Sequence, residues 1–269
     1  MNIICIVKNE FIKLLRSKKY IYLLGLIVFL CAMSVYAYSE MRTIAINNLP
    51  KAATYSQELK EILFNLSGVN FSRIFLSDFI YKDFFSFFIL FIVIFATDVF
   101  ANDKESGNMK FTLLSGVGVN QLYIGKTIFM ICISVCTVIF HTLLALLVGQ
   151  IFFGGSIIIA DLFEIIVITL LAVLPATSLS LVLAIISQFG CHSKIVVGIG
   201  MAMAIIFGVV DTFSVEVSRF SPIGVLSSFS GSVPFINDNV FPNTIGNIIY
   251  IVIGIIVLLL IANKQDYYE

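Results

Sequence analysis

The sequence predicts an all-α polytopic membrane protein with six transmembrane helices, and three observations carry that prediction. Charged residues make up 12% of the 269 positions and hydrophobic ones 59%, where a soluble domain carries about 25% charge. The mean hydropathy of +1.06 is more than one buried core explains, because a soluble chain of this length must cover a large surface with polar groups. Six apolar runs, about 20–38, 84–101, 122–149, 162–187, 195–210 and 244–262, approach the length a helix needs. At 1.5 Å per residue, a layer about 30 Å thick takes about 20 residues. The runs are continuous rather than alternating, which selects helices over a β-barrel.

The elements follow in order as one transmembrane domain over 1–269. In residues 1–19, Ile3, Val7, Phe11, Leu14 and Leu15 repeat at helical spacing while Lys8, Asn9, Lys13 and Arg16 point elsewhere. This pattern predicts an amphipathic helix on the inner membrane surface. No small-residue cleavage site follows it, so the first span is read as retained rather than as a signal peptide. Residues 40–78 form a large external loop, in which Leu59, Ile62, Leu63 and Leu66 suggest a short amphipathic helix. Its two glycosylation-type triplets at Asn65 and Asn70 are short enough to arise by chance and carry no weight. The phenylalanine-rich second span (Phe84, Phe85, Phe87, Phe88, Phe91, Phe95) reads as lipid-facing and packing surface. A polar loop at 102–121 precedes the third span. Pro175 falls mid-way through the fourth and should kink it. Segment 211–243 mixes prolines, glycines and phenylalanines, a composition open to two readings, a re-entrant segment or a surface loop.

Orientation comes from lysine and arginine, which accumulate on the cytoplasmic side. Ten of the sixteen basic residues fall in the leader, the loop at 102–121, the start of the third span, the connection at 188–194 and the C-terminus. Both termini are therefore expected inside. The charges cancel overall, which leaves no basic field to attract nucleic acid. The five cysteines avoid the two long polar loops, so a disulfide framework is not expected.

Several residues invite chemistry and fail its requirements. The run ending Gly125-Lys126-Thr127 resembles a phosphate-binding loop but has Asn120 where glycine is needed and no preceding strand. Gly125 is read as a close-packing position and Lys126 as a snorkelling one. His141 and His192 lack companions at metal-ligand spacing, and His141 is expected to hydrogen-bond a neighbouring helix. Asp98 and Asp211 lie near span ends, where interfacial water would solvate them. No catalytic, cofactor or metal site is predicted. A secondary transporter or channel would place paired charges at mid-membrane, which these spans almost entirely lack.

The stretch after the second span carries a resemblance. Glu105, Gly107, Lys110, Leu113 or Leu114, Ser115, Gly116, Val117, Gly125 and Lys126, with Glu10, Lys13 and Arg16 in the leader, resemble ABC transporter permeases of the ABC-2 exporter class, especially the bacterial peptide and antibiotic self-protection type. Asn108 stands where threonine is usual, and Val119-Asn120 where Ser-Arg is common. The resemblance implies a type V exporter-like transmembrane domain in a bacterial cytoplasmic membrane, a non-catalytic subunit dimerising with an identical or homologous permease. It implies a coupling helix in the loop at 102–121 that seats in each of two copies of a separate ATPase, which carry the ATP and magnesium. Glu105 and Lys110 would be its polar contacts, Gly107 its boundary and Met109, Phe111 and Leu113 its apolar anchors. Glu10, Lys13 and Arg16 would be secondary contacts. The cargo would be a hydrophobic peptide, antibiotic or lipid-like molecule; the alternative is an ATP-independent transporter or channel.

Overall fold

The computed structural model describes residues 3–47, 63–81, 86–156, 159–213, 215–228 and 240–264, and every regular element among them is helical. Helix α1 (Ile3–Ser17) turns at Lys18, whose φ is 57°, into α2 (Lys19–Asn47). Then come α3 (Gly68–Leu76), widened into a π-turn at Ser77–Tyr81; α4 (Phe87–Thr97), widened likewise at Asp98–Asn102 and closed by one turn, Asp103–Glu105; and α5 (Asn108–Leu114). Helices α6 (Val119–Phe153), α7 (Ile159–Leu171), α8 (Val173–Gln188), α9 (Ser193–Phe213) and α10 (Val240–Ala262) complete the bundle.

Among the described residues, five stretches are long and apolar enough to cross a membrane: Lys19–Asn47, Val119–Phe153, Asp161–Gln188, Ser193–Asp211 and Val240–Ala262. The predicted span at 84–101 differs. Helix α4 alone has 11 residues, but helical turns run unbroken over 87–105, about 28 Å, with Asp98, Asp103, Lys104 and Glu105 in the last of them. Its start is fixed by the Ser86 hydroxyl, which accepts the Ile89 N–H at 3.3 Å. Phe88 and Phe95 of α4 and Phe100 of its π-turn are buried, with α4 packed on α8 and α9. Those phenylalanines belong to the protein core rather than to lipid; Phe84 and Phe85 lie outside the described residues.

The fourth span is interrupted at Ala172, between α7 and α8. Proline has no N–H to give the carbonyl four residues back, so Pro175 accounts for a break one turn upstream.

Far from α1, the other end of the bundle is closed by α3, which the periodicity of the loop at 40–78 does not predict. Leu63 and Leu66 are buried as an amphipathic turn requires, whereas Leu59 and Ile62 lie outside the described residues. Residues 63–64 are helical; α3 is a separate helix that starts after them, capped by Ser67, and α2 runs on to Asn47. Backbone touches backbone here: a Cβ on Gly149 of α6 would lie 2.5 Å from the Gly68 carbonyl oxygen. Arg73 of α3 then pairs with Asp161, at 2.9 Å, and with Glu164, both on α7. Within the segment at 211–243, residues 221–226 are buried. Asn243 donates to the Gly224 carbonyl at 2.9 Å, and Ser178 donates to that of Pro222.

His141 and Asp211 depart from expectation. His141 is 3% exposed and neither ring nitrogen has a hydrogen-bond partner among the described residues; its ring instead lies 5.1 Å from that of Phe75. Asp211 is buried rather than solvated.

Candidate functional site

At the α1 end of the bundle, the leader, the 102–121 loop, the 188–194 connection and the end of α10 converge. Asn263 donates to Asn120 at 2.8 Å, which ties α10 to the start of α6. The centre of this face is three consecutive residues, Asp103, Lys104 and Glu105. Successive helical residues diverge by about 100°, and each of the three reaches a different part of the molecule.

Asp103 binds inward. Its Oδ2 takes Lys126 Nζ of α6 at 2.5 Å and Lys13 Nζ of α1 at 2.7 Å. Glu10 completes the cluster at 2.9 Å from Lys13 and 3.3 Å from Lys126, and the Val99 carbonyl takes a further Lys126 proton at 2.5 Å. Burial pushes the Asp103 pKa up, but Lys126 and Lys13 outweigh it and hold it below the ordinary value. Burial likewise lowers Lys13, and Glu10 and Asp103 outweigh that to raise it.

Lys104 and Glu105 close on helix ends. Lys104 donates to the carbonyl oxygens of Gln188, at 3.0 Å, and Ser187, at 3.5 Å, where α8 ends. Glu105 accepts the Ser193 N–H at 2.9 Å where α9 begins, and lies 3.1 Å from His192 Nδ1. A cation at a helix C-terminus and an anion at an N-terminus both oppose the helix dipole. The Ser193 and His192 hydrogen bonds pull the Glu105 carboxyl down to about 2.

Gly107 separates this hub from α5. Its φ of 76° lies in the left-handed region, which strains any residue with a Cβ. On α5, Met109 and Leu113 lie one turn apart and face inward, 2% and 4% exposed. Phe111 and Leu114 project outward, 72% and 66% exposed, with Lys110 beside them. The three residues expected as apolar anchors therefore divide: Met109 and Leu113 hold α5 to this chain, and Phe111 is free.

The leader residues divide as well. Gly125 lets α1 approach α6, since a Cβ there would lie 2.8 Å from Ile6 Cγ2, and Phe11 meets Phe129 edge-on at 4.9 Å. Glu10, 4% exposed, and Lys13 are thereby drawn into the cluster, while Arg16 stays exposed. Lys126 does not snorkel; it is 1% exposed among carboxylates. Asp98 is paired with Lys19. The sequence reading singles out neither Asp103 nor Lys104, and it puts Lys126 at the membrane interface rather than in the buried cluster. A signal for one pair existed: an aspartate closing one span and a lysine opening the next sit at one depth once the helices fold back.

The described residues form an all-helical membrane domain in which a short, half-exposed helix is fastened to the span ends. Residues 4–263 match the family described as ABC-2 family transporter protein, and the chain belongs to that family. It is a permease subunit of an ABC transporter, a class that works with an ABC ATPase. No curated protein matches the sequence.

Proposed function

We propose that the chain is the permease of an ATP-driven exporter, that the face carrying α1 and α5 is cytoplasmic, and that α5 is the seat of the ATPase. The observation that carries this reading is the pair Phe111 and Leu114, large apolar side chains held in the open on a short helix that is bonded through the hub to α1, α6, α8 and α9. Burying such a pair in a partner's groove stabilises the contact by about 1.5–3 kcal/mol per side chain. A displacement of α5 would then move the span ends together rather than flexing a loop. Lys110 adds a charged contact, and ATP and magnesium belong to the partner. Two permeases, identical or homologous, would alternate access between them as two ATPases close. The cargo is a hydrophobic peptide, antibiotic or lipid-like molecule, which suits apolar spans that show no mid-membrane ion pair among the described residues.

Phe111→Ala with Leu114→Ala separates this role from folding, because neither side chain is buried. The double variant is expected to reach the membrane and keep its melting temperature, yet to lose most of the ATPase that copurifies with the wild type. Full ATPase recovery, or ATP-independent transport by the lone chain, would sink the reading.

A further inference from the structure

Between α1 and the end of α4 lies a cleft of about 340 Å³. Its lining is partly ionic and partly apolar, with Arg16, Lys19 and Asp98 alongside Leu14, Phe95 and Phe129. The lining itself is balanced, with Lys13, Arg16 and Lys19 against Glu10, Asp98 and Asp103, and becomes net positive once Lys126, buried behind it, is counted. Glu10 and Asp103 are matched by Lys13 and Lys126, and Asp98 by Lys19. Arg16 remains, an exposed guanidinium with no carboxylate partner among the described residues. The cleft thus carries one uncompensated positive charge beside an apolar wall.

The setting narrows what such a cleft takes. Ile4, Ile12 and Leu15 are exposed on α1 on a face that also carries Lys8, a mostly apolar strip with a basic residue that suits a helix lying at the lipid boundary. The cleft opens beside that helix where Lys18 turns the chain into α2. A guanidinium forks around two oxygens of a phosphate, and the apolar wall suits hydrocarbon.

We propose that this cleft seats the headgroup of an anionic phospholipid, its phosphate diester on Arg16 and the first carbons of its chains against Leu14. The volume fits a headgroup rather than a whole lipid, so the chains extend outward along α1. Bound there, the lipid fastens α1 to the end of α4 next to Asp103. Anionic lipid becomes a component of the drive face, independent of which cargo the permease carries and of whether α5 seats the ATPase.

The test is lipid retention by the full chain, reconstituted in vesicles of phosphatidylglycerol and phosphatidylcholine, extracted in mild detergent and weighed by native mass spectrometry. Arg16→Gln is expected to lower retained phosphatidylglycerol about tenfold, the loss of one charge-assisted contact, and to leave phosphatidylcholine unchanged. Lys8→Gln, an exposed change on the same helix outside the cleft, is expected to match the wild type. Equal phosphatidylglycerol retention by Arg16→Gln and the wild type overturns the proposal. Displacement of the lipid by inorganic phosphate assigns the site to free phosphate and overturns it too. So does unchanged lipid with loss of the copurifying ATPase, which would make Arg16 a protein contact.

Discussion

A lysine near the end of an apolar helix can reach out to water or find anions inside, and Lys126 takes the second course because α1 closes over it. The cluster is neutral as built, with Glu10 and Asp103 against Lys13 and Lys126. Lys126→Met leaves two carboxylates sharing Lys13 in a buried site. Breaking a buried pair from one side costs about 3–5 kcal/mol, so a large fall in thermal midpoint is expected in detergent. Adding Asp103→Asn restores neutrality and should recover much of the loss; a double variant no more stable than the single one would show that packing rather than charge sets the cost. At this scale the sequence was partly legible. Glu105, Gly107 and Lys110 stand out because charge and glycine interrupt apolar runs. That Met109 and Leu113 face inward while Phe111 faces outward depends on where α5 lies, which a seven-residue helix does not encode in its own pattern.

Long apolar elements were legible whether lipid or protein surrounds them, but which of the two does was not. Helices α2, α6, α9 and α10 expose long apolar faces and fall near the predicted spans. Helix α4 is as apolar as they are, yet it is enclosed, because hydropathy does not distinguish a neighbouring helix from an acyl chain. Helix α3 was missed because its stability rests on contact rather than periodicity: it is nine residues long, below the length that holds in isolation, and is secured by Gly68 against Gly149 and by Arg73 against α7. Gly149→Ala tests that contact. The new methyl would sit 2.5 Å from the Gly68 carbonyl and 3.0 Å from Phe71, and a backbone oxygen cannot rotate away. Overpacking of this kind costs about 1–3 kcal/mol. The expected result is a lower melting temperature together with faster hydrogen exchange across 68–76; unchanged exchange there would mean that α6 and α3 separate freely.

For the whole molecule, three adjacent residues join the leader to four spans, and the join is electrostatic at every point. Asp103 works inside a neutral cluster, whereas Lys104 and Glu105 act on the ends of α8 and α9, whose opposite dipoles call for opposite charges. That arrangement arises only once the helices pack, so the membership was legible and the wiring was not. It also fixes a pH dependence. Glu105 has a carboxyl depressed from 4.5 to about 2 by Ser193 and His192. A depressed acid contributes stability above its unfolded pKa and loses it as pH falls through the folded one. The link between the 102–121 loop and α9 should therefore be complete at pH 5, weaken from about 4.5 downward and be gone below about 2. Protection of the Ser193 amide against hydrogen exchange, corrected for the intrinsic pH dependence of exchange, reads this directly. The Glu105→Gln variant, with no proton to gain, should show protection that stays level across the same window. If the variant loses protection in step with the wild type, another carboxylate governs the junction, and the hub does not reach α9 through Glu105.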